Sequence, residues 1–206
     1  MKFLVVLSIM ILISSCSEEA IEESSLTTVD SDFKVEQILE MPANGDQKLA
    51  YSLLDKNQKL LLWNKKINQV LISDKLILDD EQSNLLNELL HKINNNVDLF
   101  GEDTNEYSDY FKYVYVPDFI KRSEQIFTND QILSIFSNFS SIDVNMNQQY
   151  KIEDAPIGEK ECNCNESSSI SCSFNTVDCV KGGCKETIAS CGFLGFFECN
   201  GRCNFF

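Results

Sequence analysis

Eight of the chain's nine cysteines crowd into its C-terminal end, at Cys162, Cys164, Cys172, Cys179, Cys184, Cys191, Cys199 and Cys203, and none lies between Cys16 and Cys162. A segment this short cannot bury enough apolar surface to fold unaided, so the density of sulfur points to a covalently stapled scaffold. Eight thiols can pair in many ways, and spacing does not choose among them. Only a Cys162–Cys164 bridge is disfavoured, because a disulfide needs Cα atoms roughly 4.4 to 6.8 Å apart with converging Cβ vectors. Each of four bridges would contribute about 2 to 4 kcal/mol, mostly by restricting the unfolded chain.

Disulfides require an oxidising compartment, and the N-terminus supplies the route to one. Lys2 is a positive n-region, Phe3 to Ile13 is an apolar run broken only by Ser8, and Ser14-Ser15-Cys16 follows. The run is too short to span a bilayer, which takes about 20 residues, so residues 1–15 read as a signal peptide. Ile13-Ser14-Ser15-Cys16 resembles the lipobox of bacterial lipoproteins, which implies lipidation at Cys16 and accounts for the isolated ninth cysteine. Several acyl chains anchor stably where one does not. Glu18 and Glu19 resemble the acidic signals that carry lipoproteins to the cell surface. The expected location is therefore the outer membrane, lipid-anchored and surface-exposed.

The formal net charge is -15 and becomes more negative when Lys2 is removed. That excludes nucleic acid as a general partner, since phosphate binding needs a positive footprint. Residues 16–34 are acidic and poor in large apolar groups, and read as a flexible tether. Residues 35–155 read as a helical domain. Leu49, Leu53, Leu60, Trp63, Ile67 and Val70 recur at helical steps and predict one helix of about 25 residues after the turn cluster Pro42 to Asp46. Asp79 with Gln82, and Thr128 with Gln131, predict capping boxes at two further helix starts. Trp63 is expected to be a core anchor between helices. Tyr107 to Val116 is compatible with a strand or an extended strap, and Pro117 with the first residue of a short helix ending at Phe127.

Residues 156–161 read as a linker, with Gly158 and Lys160 a candidate nicking site that could release the tail. Residues 162–206 form the predicted four-disulfide domain. The fold class is thus a mainly α-helical domain followed by a small disulfide-rich one. Within the tail, Phe193, Leu194, Phe196, Phe197, Phe205 and Phe206 are the candidate contact surface, because so small a domain can hide only some of them. The alternative is that these rings cover the disulfides as a miniature core.

The tail resembles the bacteriocin fulvocin C-related family. The resemblance rests on Cys162-Asn163-Cys164, Cys172, Cys179, Cys184, Cys191-Gly192, Gly195-Phe196-Phe197, Cys199-Asn200-Gly201 and Phe206, while Cys203 departs from it by following the Asn-Gly. The Trp63 region and the Glu81-Gln82 helix start resemble the larger members. What this implies is a disulfide-rich, bacteriocin-like module that is presented or cut free to bind a protein or receptor on a target cell. Two other roles stand beside it: a surface lipoprotein without toxicity, and an immunity or chaperone-like helical domain fused to the module.

Catalysis is not expected. The single histidine, His91, falls inside a predicted helix, and Asp79, Asp80 and Glu81 are explained by capping and the helix dipole. Nucleophile-elbow, zinc-protease and phosphate-loop motifs are absent from the sequence. No cofactor is implied. Cys162-x-Cys164 and Cys179-x4-Cys184 approach metal-ligand spacing, but paired C-x2-C knuckles are lacking and the compartment is oxidising, so no metal is expected.

Overall fold

The computed structural model describes residues 22–42, 45–101, 105–141, 162–168, 170, 172, 177–185 and 187–205. The expected signal peptide at residues 1–15, Cys16, the expected linker at 156–161 and Phe206 lie outside the described residues. The chain divides into two compact units, Met1–Lys34 and Val35–Phe206.

A helix, α1 (Glu22–Glu40), begins in the first unit and ends in the second. It covers much of the stretch expected to be a flexible tether. The reason lies at its C-terminal end, where Val35, Ile38 and Leu39 are buried. Once those turns are fixed by packing, helix propagates backward at one hydrogen bond per residue, and Lys34 pairs with Asp30 one turn away at 2.7 Å.

In the second unit, the single helix of about 25 residues expected after Asp46 and closed at Ser73-Asp74 is two helices, α2 (Gly45–Ser52) and α3 (Lys56–Ile72). Asp55 breaks the run by capping α3: its carboxylate accepts from the Asn57 and Gln58 amides, and the Gln58 side chain returns a bond to the Asp55 amide. The leucine periodicity continues through this break, so pattern alone hides it. The capping boxes expected at Asp79 and Thr128 are present, opening α4 (Asp80–Asn94) and α7 (Asn129–Phe136).

Between these last two, the aromatic segment is neither strand nor strap. It is helix from α5 (Glu106–Tyr110) through a π-helical turn at Phe111–Tyr115 into α6 (Val116–Ile126). Pro117 therefore sits inside a continuous helical path, where its missing N–H and ring would ordinarily break the ladder. The wide turn absorbs this, with the Val116 amide reaching back five residues to the Phe111 carbonyl.

The tail contains two small antiparallel ladders: β1 (Val177–Lys181) with β4 (Gly201–Phe205), and β2 (Thr187–Cys191) with β3 (Phe197–Cys199). A helical bundle is thus followed by a disulfide-bonded, strand-containing region. They are not separate domains, however. Val35–Phe206 is one compact unit, β2 packs on α2, and Ile170, Phe193 and Leu194 belong to the same apolar core as Leu62, Trp63, Phe119 and Phe136.

Candidate functional site

All eight tail cysteines are paired, as Cys162–Cys184, Cys164–Cys179, Cys172–Cys203 and Cys191–Cys199. The last bridge closes the loop that carries the aromatic residues, and that loop enters the helical core. Gly192 has φ of +77° and Leu194 a left-handed φ of +51°, which is uncommon for a branched side chain. From Gly192 the chain enters a 3-10 turn, Phe193–Gly195, that places Phe193 and Leu194 in the core of the bundle.

Both of these residues are fully buried, at 0% exposure. Phe193 packs edge-on against Phe119 at 5.5 Å between ring centres and tilted against Phe136 at 5.4 Å. Phe196 is half-buried between Phe100 and Phe111, at 5.3 and 5.7 Å. Phe197 is half-buried beside Tyr113. The expectation of an exposed aromatic contact surface is therefore corrected at Phe193 and Leu194, and much reduced at Phe196 and Phe197. Nor do the rings form a core private to the tail: bundle side chains supply their partners. The Phe205 side chain lies outside the described residues, though its backbone pairs with Val177.

The strained turn is held by polar contacts as well as by packing. The Leu194 carbonyl accepts from the Tyr51 hydroxyl at 2.9 Å and from the Trp63 indole N–H at 3.1 Å. Tyr51 stacks flat on Phe139, with ring centres 3.8 Å apart. Gly195 passes so close that a Cβ there would lie 2.7 Å from the Tyr51 ring and 2.8 Å from the Phe139 ring. Burial raises the Tyr51 hydroxyl well above the usual phenol range, so it remains a donor at neutral pH. Trp63 is a core anchor as expected, but what it anchors is the tail loop.

Three further residues support the seat. Gln47, buried between α1 and the stretch after α7, donates to the carbonyls of Ile38 and Met41 and to the Ser140 hydroxyl, and accepts from the Phe139 amide. Lys66, fully buried, donates to the carbonyls of Ser134 and Asn138 and to the Asn138 side chain. It thereby satisfies the open C-terminal end of α7 and sits 5.3 Å over the Trp63 ring. Burial pulls its pKa well below that of an ordinary lysine. The three acceptors oppose that shift, since a neutral amine has only two N–H groups to give.

Lys48 bridges α2 to the tail, donating to the Asn163 carbonyl at 2.9 Å and lying 3.7 Å from the Cys191 sulfur. Burial pushes its pKa down to about 8. Elsewhere, Glu88 is held by Arg122 through two bonds of 2.7 and 2.8 Å and also accepts from Tyr115. Arg122 keeps the Glu88 carboxyl below the usual range. His91 is exposed, and its Nε2 lies 3.0 Å from the side-chain nitrogen of Asn95, the residue that caps the end of α4. Asp79 caps α4 as its sequence position suggests.

What fold and seat together define is a helical bundle with a four-disulfide module locked into its core through an aromatic loop, with Ile170, β2 and the Lys48–Asn163 bond tying it to the bundle beside that loop. No family model matches the chain, and no curated protein or solved structure matches it significantly.

Proposed function

We propose that this is an exported, lipid-anchored binding protein in which the helical bundle acts as a fitted holder for a bacteriocin-like cysteine module, working through shape and not through catalysis. The lipobox-like Cys16 would anchor it in the outer membrane. The single observation that carries the reading is the seating of Phe193 and Leu194 in the bundle, with the Leu194 carbonyl held by both Tyr51 and Trp63.

That arrangement favours the immunity or chaperone-like role for the bundle over simple display of an aromatic surface. Burying two large apolar side chains is worth about 1.5 to 3 kcal/mol each, and this comes before the surrounding ring contacts are added. A cut between residues 142 and 161 would therefore leave the module held, with its apolar loop covered. While held, the module would meet an extracellular protein partner through its outward residues, Val180 to Gly183 and Lys185, which are exposed. The tail's lack of excess positive charge speaks for recognition of a protein or receptor ahead of lysis of an anionic membrane.

The test is to place a specific protease site between residues 142 and 161 of the full chain and cleave the oxidised protein. Both pieces are expected to co-elute in native buffer and to separate in denaturant. A tail that leaves in native buffer would sink the holder reading. Anchoring is tested separately: Cys16→Ser should move the protein from the membrane fraction to the soluble one, and an unchanged distribution refutes the lipid anchor.

A further inference from the structure

Two of the four bridges lie against each other at the β1–β4 ladder. Cys179 and Cys203 are directly opposite in its register, which puts both side chains on one face. Cys164 is tied to the same ladder. Its amide donates to the Gly201 carbonyl at 3.2 Å, and its own carbonyl accepts from the amides of Asn200 and Gly201 at 3.0 Å each. Gly201 permits this approach, since a Cβ there would lie 2.7 Å from the Cys179 sulfur. The sulfurs of Cys164, Cys172 and Cys179 all fall within 4.8 Å of one another, and the Cys203 sulfur is bonded to that of Cys172.

We infer that these four cysteines are a centre with two chemical states: a pair of disulfides when oxidised and a tetrathiolate site for a zinc-type cation when reduced. A tetrahedral site with Zn–S bonds of about 2.3 Å has sulfur–sulfur edges of about 3.8 Å. Three of the sulfurs, those of Cys164, Cys172 and Cys179, already lie within 4.8 Å of one another, and reduction would let each bonded pair open from about 2 Å toward the tetrahedral edge by side-chain rotation. The frame does not depend on the two bridges alone, because the ladder and the Cys164–Gly201 pairing are backbone hydrogen bonds.

Access differs in the direction the inference needs. Each of the two bridges has a half-buried sulfur-bearing residue, Cys179 in one and both Cys172 and Cys203 in the other, although Cys164 itself is at 0% exposure, whereas both Cys191 and Cys199, which close the seated loop, are at most 1% exposed. Among the described residues, Cys164, Cys172 and Cys179 are also the group of three metal-binding side chains whose donor atoms converge this closely. The chemistry balances with a dithiol reductant. Each bridge takes two electrons and two protons from one dithiol, which leaves as its own disulfide, and the cation then displaces the thiol protons as the sulfurs ligate it. Sequence spacing did not expose this set, because its members are drawn together by strand pairing and not by a C-x2-C repeat.

The experiment takes the full chain, reduces it with a measured excess of a phosphine, adds Zn2+ or Co2+ and removes unbound metal. The expected result is one ion retained per chain, with the thiolate-to-cobalt charge-transfer absorption of a tetrahedral all-sulfur site. Replacing Cys172 and Cys203 by Ser should weaken retention at least about tenfold, whereas replacing Cys162 and Cys184 by Ser should leave it unchanged. X-ray absorption on the unsubstituted zinc form guards against misfolded variants by counting sulfur ligands directly. Absence of bound metal, equal retention by the Cys172/Cys203 variant, or fewer than four sulfurs around zinc would each overturn the inference.

Discussion

At the scale of single residues, the molecule places two lysines where burial works against their charge. Lys48 shows the consequence most directly. Its pKa is pushed down to about 8 in the folded chain, against about 10.4 when unfolded. Between those values the unfolded chain binds a proton that the folded chain does not, so stability rises with pH across that window. Lys66 is shifted in the same direction and adds to the slope. Tyr51 opposes it from about pH 10 upward, because its raised pKa means that the unfolded phenol ionises first. Thermal unfolding of the oxidised protein is accordingly expected to move to higher temperature from pH 8 to about 9.5 and to turn over above that. Lys48→Met should make the rise shallower, leaving the part due to Lys66. An identical slope in the variant would mean that Lys48 is solvated and that its contact with Asn163 is incidental. Neither lysine announces itself in the sequence, since Lys48 and Lys65 both read as polar interruptions of a leucine stripe and Lys66 follows Lys65 directly. The burial of Lys66 is decided by carbonyl groups some seventy residues away, at 68 and 72 positions along the chain.

Among the elements, what was legible was whatever is encoded locally. The capping pairs at Asp79 and Thr128 each satisfy an amide three residues on, so their sequence is their mechanism. Asp55 with Gln58 obeys the same rule and could have been found by it, had the leucine repeat not run through the break. The π-turn before Pro117 was not legible, because a proline reads equally as a helix start, and only the preceding wide turn keeps the path helical. Least legible was the cysteine-rich tail, whose glycines look alike in sequence but serve different ends. Gly182 has φ of +79° with open space around its Cβ position, whereas Gly195 has φ of +69° and is pressed between the rings of Tyr51 and Phe139. Gly182→Ala should therefore cost only the left-handed penalty of about 1 to 2 kcal/mol. Gly195→Ala must also push apart a stacked aromatic pair, and about 2 to 4 kcal/mol is expected. Urea unfolding of the two oxidised variants compares them directly, and equal losses would show that Gly195 does not sit between those rings.

The whole molecule turns on whether the bundle and the cysteine module are one folding unit. Sequence divides them at a polar linker, and that division follows sensibly from composition, because nothing local reveals that Leu194 is bonded to partners 131 and 143 residues earlier. Structure joins them: the aromatic loop completes the core, so helices lacking it would face a cavity lined by Trp63, Phe119 and Phe136. Cys191–Cys199 is the bridge that preforms this loop, with a sequence separation of 8. Closing a loop of that length is worth about 2 to 3 kcal/mol. In a chain of this size that corresponds to roughly 5 to 10 °C in Tm. The variant Cys191→Ala with Cys199→Ala is therefore expected to lower the melting temperature of the helices, read by far-UV circular dichroism, and to do so in step with Trp63 fluorescence. The two probes should stay coincident, because the disulfide and the helices lie on opposite sides of one shared core. Were the two halves independent, removing a tail bridge would leave the helical transition where it was, and an unshifted helical melt in this variant would refute the single-unit view and with it the fitted holder.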